Sequence, residues 1–211
     1  MPARGGRAFT LVELVLVLAV VALLAGLILP RLLSTPRPAH RIRCVSNLKQ
    51  LALSFRVYAT DNADRFPRAT TNDLQVGRNW ETELIGVIQM LSNELVTPYI
   101  LECPGDTRKA AMSFSALATT NLSYFVSADG SEFNPDWVLA GDSNLTTNGS
   151  PVAPALLTLR TNLSAGWTTN RHSDCGNVAM CDGSVQQVAN GPRAVSTFRP
   201  SILATNRLLV P

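Results

Sequence analysis

The chain has 211 residues, of which 46% are hydrophobic and 16% are charged. This composition excludes a disordered chain, and the length allows one ordinary domain or two small ones. The formal charge of +3 hides a division, because residues 1–56 hold eight Lys or Arg and a single acid, Glu13. These basic residues flank an apolar segment, so contact with lipid headgroups explains them better than nucleic-acid binding does.

The apolar segment covers residues 9–29 and is interrupted only by Thr10 and Glu13. As a helix it would span about 31 Å, which matches the ~30 Å hydrocarbon core of a bilayer. A cleaved signal peptide is the competing interpretation, because small residues at Ala22 and Ala25 resemble a cleavage pattern. The run is longer than the usual apolar region of about 7–15 residues, so we predict a retained transmembrane helix.

Prolines separate this segment from a second helical pattern. Pro30, Pro36 and Pro38 each remove a backbone donor, so we expect a kink or break between residues 30 and 38. From about residue 39 to 59, apolar side chains recur at steps of three and four, which predicts an amphipathic helix. Its stripe consists of Ile42, Cys44, Val45, Leu48, Leu51, Ala52, Phe55, Tyr58 and Ala59.

The rest of the chain, residues 60–211, has the pattern of one α+β head domain. A short helix is predicted over Glu81–Asn93. Strands are predicted over Tyr99–Cys103, Ser123–Ser127 and Trp137–Ala140. Two segments rich in turn residues are predicted to be loops, Asp142–Pro154 and Gly191–Pro200.

The strongest local signal is a β-hairpin over residues 177–188. Two strand-like runs flank Asp182-Gly183, and Asp-Gly favours a tight hairpin turn because glycine accepts a positive φ. Side chains alternate along a strand, so Val178 and Met180 should share a buried face.

Glu13 is chemically out of place in an apolar helix. A charge within the bilayer costs about 2.5–3.5 kcal/mol even on a lenient scale, so a functional role is the first hypothesis. The alternative is that the carboxylate lies at the headgroup boundary, and the residues alone do not decide between the two. We predict no other partner for this charge within the chain.

The segment from Gly6 to Leu14, GRAFTLVEL, resembles the processing site of type IV prepilins and of type II secretion pseudopilins. The resemblance implies that a prepilin peptidase cuts between Ala8 and Phe9 and that Phe9 is then N-methylated. It implies that Glu13 neutralises the α-amine of a neighbouring subunit during assembly. Pro30 stands where the family commonly has a helix-kinking proline, whereas Ala8 stands where it usually has glycine.

Further blocks are similar to a prepilin-like family with a C-terminal His-x9-Asp-Gly signature. They are Cys44–Leu51, Tyr58–Asn62, Cys103–Asp106 and His172 followed nine residues later by Asp182-Gly183. The resemblance implies a pilin-like α+β fold, in which a long N-terminal helix packs on an antiparallel sheet. It divides the chain into a leader (1–8), a transmembrane helix (9–29), a stem helix with a proline break (30–59) and an extracytoplasmic head (60–211).

The function implied is that of a structural subunit of a type IV pilus or type II secretion-like filament, without enzymatic activity or cofactor. Its expected partners are prepilin peptidase, other pilin or pseudopilin subunits, an inner-membrane assembly platform and the lipid bilayer, but no nucleic acid. The implied location is the bacterial inner membrane, with a single span and the head outside the cytoplasm. Arginine counting around the span weakly favours the opposite orientation. The alternative function is a membrane-anchored extracytoplasmic binding protein that does not polymerise.

Metal binding and catalysis are the competing interpretations of the polar residues. The possible ligands His172, Asp174, Cys175, Cys181 and Asp182 match no closed four-ligand spacing. We therefore predict no metal, and we expect His172 and Asp182 to fasten the hairpin turn by hydrogen bonds. Acids at Asp61–Asp64 are expected to cap a helix rather than bind calcium.

Only His172 is a plausible base, and no Gly-x-Ser-x-Gly elbow is present, so an enzyme is not expected. The tryptophans Trp80, Trp137 and Trp167 are expected to be core or surface anchors.

Four cysteines allow three complete pairings, which sequence alone does not resolve. Cys175 and Cys181 would lie about 20 Å apart along an extended strand at ~3.3 Å per residue. Cys44 lies on the buried stripe of the second helix, and Cys103 follows an apolar run that should pack against it. We predict a disulfide between Cys44 and Cys103, which would stabilise the fold by about 4 kcal/mol in the chain-entropy model.

Overall fold

The computed structural model describes residues 9–33, 36–68, 79–160, 165–191 and 205–211. Over these ranges the protein is α+β, with an N-terminal apolar helix and an antiparallel β-sheet. The chain divides into two units, Met1–Ala39 and His40–Pro211, which are described separately.

The first unit contains helix α1, Leu11–Leu33. Its stretch Leu11–Leu29 has a mean hydropathy of 3.0, is entirely exposed, and is long and apolar enough to cross a membrane. Pro30 lies inside α1. A break between α1 and the next helix would fall on residues 34 and 35, which lie outside the described ranges.

Helix α2, Pro36–Asp61, begins about three residues earlier than predicted. Pro36 and Pro38 occupy its first turn, where a missing N–H costs nothing because those donors have no partner inside the helix. The buried stripe forms largely as predicted, but Ile42 is exposed. On a 3.6-residue helix Ile42 shares a second, outward face with the exposed Leu53 and Val57.

The short helices that follow α2 differ in part from prediction. Helices α3, Trp80–Met90, and α4, Ser92–Leu95, occupy the predicted helical segment. A 3-10 helix, Pro98–Leu101, replaces the strand predicted over Tyr99–Cys103. The prediction was wrong because Pro98 begins a helical turn and the Thr97 side chain accepts a hydrogen bond from the Tyr99 N–H. Two further 3-10 turns lie at Phe114–Ala116 and Thr119–Asn121, and helix α5 is Thr169–His172.

In the part of the chain that the structure describes, nine strands form two antiparallel sheets. The strands are β1 (Tyr124–Ser127), β2 (Val138–Asp142), β3 (Leu145–Thr147), β4 (Ser150–Pro151), β5 (Ala155–Arg160), β6 (Ala165–Trp167), β7 (Cys175–Met180), β8 (Val185–Ala189) and β9 (Thr205–Val210). The larger sheet has the order β5-β9-β1-β2-β7-β8 and the smaller one β4-β3-β6. The predictions of β1 and β2 are confirmed. The predicted loop Asp142–Pro154 is wrong, since it holds β3 and β4, and most of Gly191–Pro200 lies outside the described residues.

The predicted hairpin is confirmed. β7 and β8 pair with Val178 opposite Gln186, and Gly183 has a φ of +86° at the turn. Val178 and Met180 lie in one buried cluster, with Phe125 and Trp167, whereas Ala179 lies in the other, with residues of α2 and α3. Strands β1, β2 and β7 of the larger sheet are therefore buried on both faces, between the helices and the smaller sheet.

Candidate functional site

A disulfide joins α2 to the segment after the first 3-10 helix. The sulfurs of Cys44 and Cys103 are 2.06 Å apart and their Cα atoms are 5.1 Å apart, so the predicted bond is present. Both residues are fully buried. Beside the disulfide lies a set of buried and partly buried charged and polar residues, which we call the polar cluster: Asp106, Arg108, Asp142, Arg171 and His172.

Asp142 ends β2 and is fully buried in the polar cluster. Its Oδ2 accepts hydrogen bonds from the backbone N–H and the Nδ2 of Asn177, at 2.8 and 2.9 Å. Its Oδ1 has no hydrogen-bond partner among the described residues. Burial raises the pKa of Asp142 to about 6, against the opposing effects of Asn177 and Arg171.

His172 ends α5 and lies between the disulfide and Asp142. Its Nε2 is 3.5 Å from Cys103 Sγ and 3.5 Å from Asp142 Oδ2. The distance to the carboxylate would suit an ion pair, but burial, with Arg41 and Arg171 nearby, lowers the pKa of His172 to about 4. The imidazole is therefore neutral at physiological pH.

Arg171 and Asp106 form a buried ion pair. Arg171 Nη2 is 2.5 Å from Asp106 Oδ2, and the two side chains are only 7% and 9% exposed. Arg171 also donates to the carbonyl of Ser123 at 2.7 Å and to Ser143 Oγ at 3.1 Å. Asp106 accepts from Ser123 Oγ at 2.8 Å. Burial lowers the pKa of the Arg171 guanidinium, while Asp106 and Asp142 raise it.

Arg108 of the polar cluster and Arg41, which lies outside it, make further hydrogen bonds. Arg108 donates to the carbonyl of Leu122 at 2.5 Å, to Ser143 Oγ at 2.9 Å and to the carbonyl of Pro211 at 2.9 Å. Arg41, on α2, donates to the carbonyl of His172. The polar cluster and Arg41 thus tie α2, the residues after Cys103, the end of β2 and α5 together through charge-assisted hydrogen bonds, which are the stronger kind.

The residues predicted to fasten the hairpin turn do not meet there. Asp182 fastens the turn without His172, since its Oδ1 accepts a hydrogen bond from the Ser184 N–H at 2.7 Å. His172 precedes β7 whereas Asp182 follows it, and a six-residue strand separates them by about 20 Å. The expectation for His172 is therefore wrong, because the spacing of nine residues carries it to the opposite end of the strand.

The other possible ligands are also dispersed. Asp174 and Cys175 lie at the same end of β7 as His172, and Cys181 at the end that holds Asp182. Cys175 and Cys181 are both free, and burial raises the pKa of the Cys181 thiol to about 11.

At the end of α2, Asn62 donates to the carbonyl of Tyr58. Trp167 is fully buried, whereas Trp80 and Trp137 are partly buried against the helix-side core.

The N-terminus of α1 contains a capping box that the sequence analysis missed. Glu13 Oε2 accepts from the N–H and from the Oγ1 of Thr10, both at 2.9 Å, and Thr10 Oγ1 accepts from the Glu13 N–H at 3.3 Å. The expectation that this carboxylate has no partner within the chain is therefore wrong. The signal was the spacing Thr-x-x-Glu before an apolar run. Ala8 lies outside the described residues.

Most of the polar cluster was also missed. Arg171 directly precedes His172, and Asp106 ends the Cys-Pro-Gly-Asp block, but Asp142 closes a strand that is otherwise uncharged. Only the fold brings these segments together. Comparison of the chain with protein-family models, with curated proteins and with solved structures finds no match.

Proposed function

We propose that the chain is a membrane-anchored filament subunit of the type IV pilin or pseudopilin kind, held and assembled through α1. The observation that carries this proposal is the surface of α1, which is apolar and exposed from Leu11 to Leu29 but has a carboxylate in its first turn. Such a surface needs lipid or the apolar helices of other subunits around it. The resemblance of the segment around Ala8 and Phe9 to a prepilin processing site supplies the second support.

The capping box suggests how Glu13 would act. Cleavage before Phe9 would leave a new α-amine one residue ahead of Thr10, at the positive end of the α1 dipole. In the single chain the Glu13 carboxylate is satisfied by Thr10. In a filament, the α-amine of a neighbouring subunit would give it an ionic partner that the single chain lacks, since opposite charges in a low dielectric must pair or be excluded.

The second unit supports the proposal through its rigidity. α2 packs on an antiparallel sheet, is bonded covalently to the segment after the first 3-10 helix through Cys44 and Cys103, and is tied to α5 by Arg41. A head fixed in this way to its own helix would transmit the spacing of assembled helices to the filament surface. We propose, on the same grounds, that the fold is pilin-like and that the chain is located in the bacterial inner membrane.

The test separates capping from assembly. Glu13→Ala and Thr10→Ala are each expressed in cells that have a prepilin peptidase and an assembly system, and sheared filaments are quantified. We expect Glu13→Ala to abolish incorporation, whereas Thr10→Ala, which loses the hydroxyl but keeps the carboxylate, retains most of it. Equal loss in both variants would mean that Glu13 acts as a helix cap only.

Mass spectrometry of the purified protein tests the processing step. We expect a chain that begins with N-methylated Phe9. An intact leader, together with a head that stays monomeric in the membrane, would contradict the filament proposal and favour the binding-protein alternative.

A further inference from the structure

Three possible metal ligands converge at the disulfide. The two sulfurs of Cys44 and Cys103 and a ring nitrogen of His172 all lie within 4.8 Å of one another, and all three residues are buried. Thiolate and imidazole are the ligands that zinc most often takes in structural sites. In the oxidised chain the sulfurs are bonded to each other, so the grouping is available to a metal only after reduction.

Asp142 supplies a fourth ligand and an independent observation that points to a cation. Its Oδ2 lies 3.5 Å from His172 Nε2, while its Oδ1 is buried without a hydrogen-bond partner among the described residues. A buried carboxylate oxygen without a partner is costly and calls for an explanation, such as an ion. The carboxylate is held in place by Asn177, as a ligand must be held by its surroundings.

Two of the separations between the ligand atoms already match those of a tetrahedral site. With zinc bonds of about 2.0–2.3 Å, neighbouring ligand atoms lie roughly 3.3–3.8 Å apart. The separations from His172 Nε2 to Cys103 Sγ and to Asp142 Oδ2 are both 3.5 Å. The two sulfurs, 2.06 Å apart, would have to separate by about 1.7 Å to reach that spacing. The Asp142 carboxylate, which lies outside the group of three, would have to turn towards them.

We propose that the reduced chain binds one zinc ion through Cys44, Cys103, His172 and Asp142. A phosphine or dithiol reductant donates two electrons to the S–S bond and is itself oxidised, leaving two thiols. Zinc then displaces both thiol protons to solvent. The resulting site carries one net negative charge, which Arg41 and Arg171 beside His172 would offset. Metal would thus replace the covalent bond between α2 and the head under reducing conditions, whether or not the chain forms filaments.

The experiment uses the full chain in detergent, in a Cys175→Ser/Cys181→Ser background that removes the other thiols. The chain is reduced with a phosphine under argon and titrated with Co²⁺, which reports thiolate ligation by a charge-transfer band and four-coordination by visible d–d bands. Zinc content is then measured after exchange and desalting. We expect one metal per reduced chain and none per oxidised chain.

Two variants test the ligands that lie outside the disulfide. His172→Gln and Asp142→Asn should each raise the Kd at least tenfold, and the near-ultraviolet spectrum of the oxidised variants checks that they fold. An unchanged Kd in either variant overturns the proposal, as does binding by Cys44→Ser equal to that of the parent. If reduction unfolds the head, zinc should restore its spectrum, and failure to do so also overturns it.

Discussion

Helix α1 and the head distribute polarity in opposite ways. Every described residue of α1 up to Leu29 is exposed although nearly all are apolar. The head instead encloses an ion pair, Arg171 and Asp106, whose side chains are almost inaccessible to water. Buried charge is tolerated where partners are built in, and most of the polar cluster has them. The apolar surface of α1 has no such provision among the described residues of its own unit, and the proposed function gives it lipid or the helices of other subunits as partners.

The largest expected effect comes from breaking the buried ion pair of the head. Arg171→Ala would leave the Asp106 carboxylate buried without its counter-ion, which we expect to lower the free energy of unfolding by about 3–5 kcal/mol. The measurement is urea unfolding of the detergent-solubilised chain, followed by tryptophan fluorescence. Arg56→Ala is the matched control, because Arg56 pairs with Glu132 at the surface and its loss should cost less than about 1 kcal/mol. Equal losses would contradict the role given to burial.

A matched pair of leucines sharpens the comparison next. Leu48 on α2 is fully buried, whereas Leu18 on α1 is 58% exposed. We expect Leu48→Ala to lower the free energy of head unfolding by about 2–5 kcal/mol through the cavity it leaves. Leu18→Ala should change it by no more than about 0.5 kcal/mol. A large loss in Leu18→Ala, measured by the same urea titration, would show that the head depends on α1.

The smallest expected effect is a pH dependence hidden in the polar cluster. The pKa of Asp142 is about 6 when folded, above its ordinary 3.8, so the folded state holds an extra proton between these values and stability falls as pH rises. The pKa of His172 is about 4 when folded, below its ordinary 6.5, so the unfolded state holds the extra proton and stability rises. The two trends oppose each other between about pH 4 and 6.

Single substitutions should separate these trends. Relative to the oxidised, metal-free parent, Asp142→Asn should gain stability as pH rises through this window, and His172→Gln should lose it. Each difference has a limiting slope of about 1.4 kcal/mol per pH unit. Urea titrations at several pH values between 4 and 6 measure both, and slopes of the same sign in the two variants would contradict the assignment of opposite shifts.

Features that depend on a few neighbouring residues could be predicted from the sequence. Features that depend on contacts between distant segments could not. The hairpin around Asp182-Gly183 and the stripe of α2 follow from turn chemistry and periodicity over a few residues. The strand predicted over Tyr99–Cys103 failed because one proline and its capping threonine outweighed an apolar run. The segment after Asp142 was mistaken for a loop because its strands, Leu-Thr-Thr and Ser-Pro, are short and mostly polar.

The candidate site divides in the same way. The disulfide was predictable because one cysteine lay on a recognisable helix face and the other next to an apolar run. The polar cluster was not, because Asp106, Asp142 and Arg171 come from segments whose spacing in the chain carries no information about their contacts. Burial decides which of these charges matter, and burial is a property of the assembled fold.

The order of strands in the larger sheet has a consequence for synthesis. β1 lies between β2 and β9 in the sheet. Asp129, just after β1, accepts a hydrogen bond from Arg207, which is synthesised 78 residues later. At roughly 5–20 residues per second, a ribosome needs about 4–16 s to add that stretch. During this time one edge of β1, whose residues are all buried in the finished fold, stays open to wrong pairing. A chaperone that covered this edge during those seconds would protect the solubility of the unfinished head.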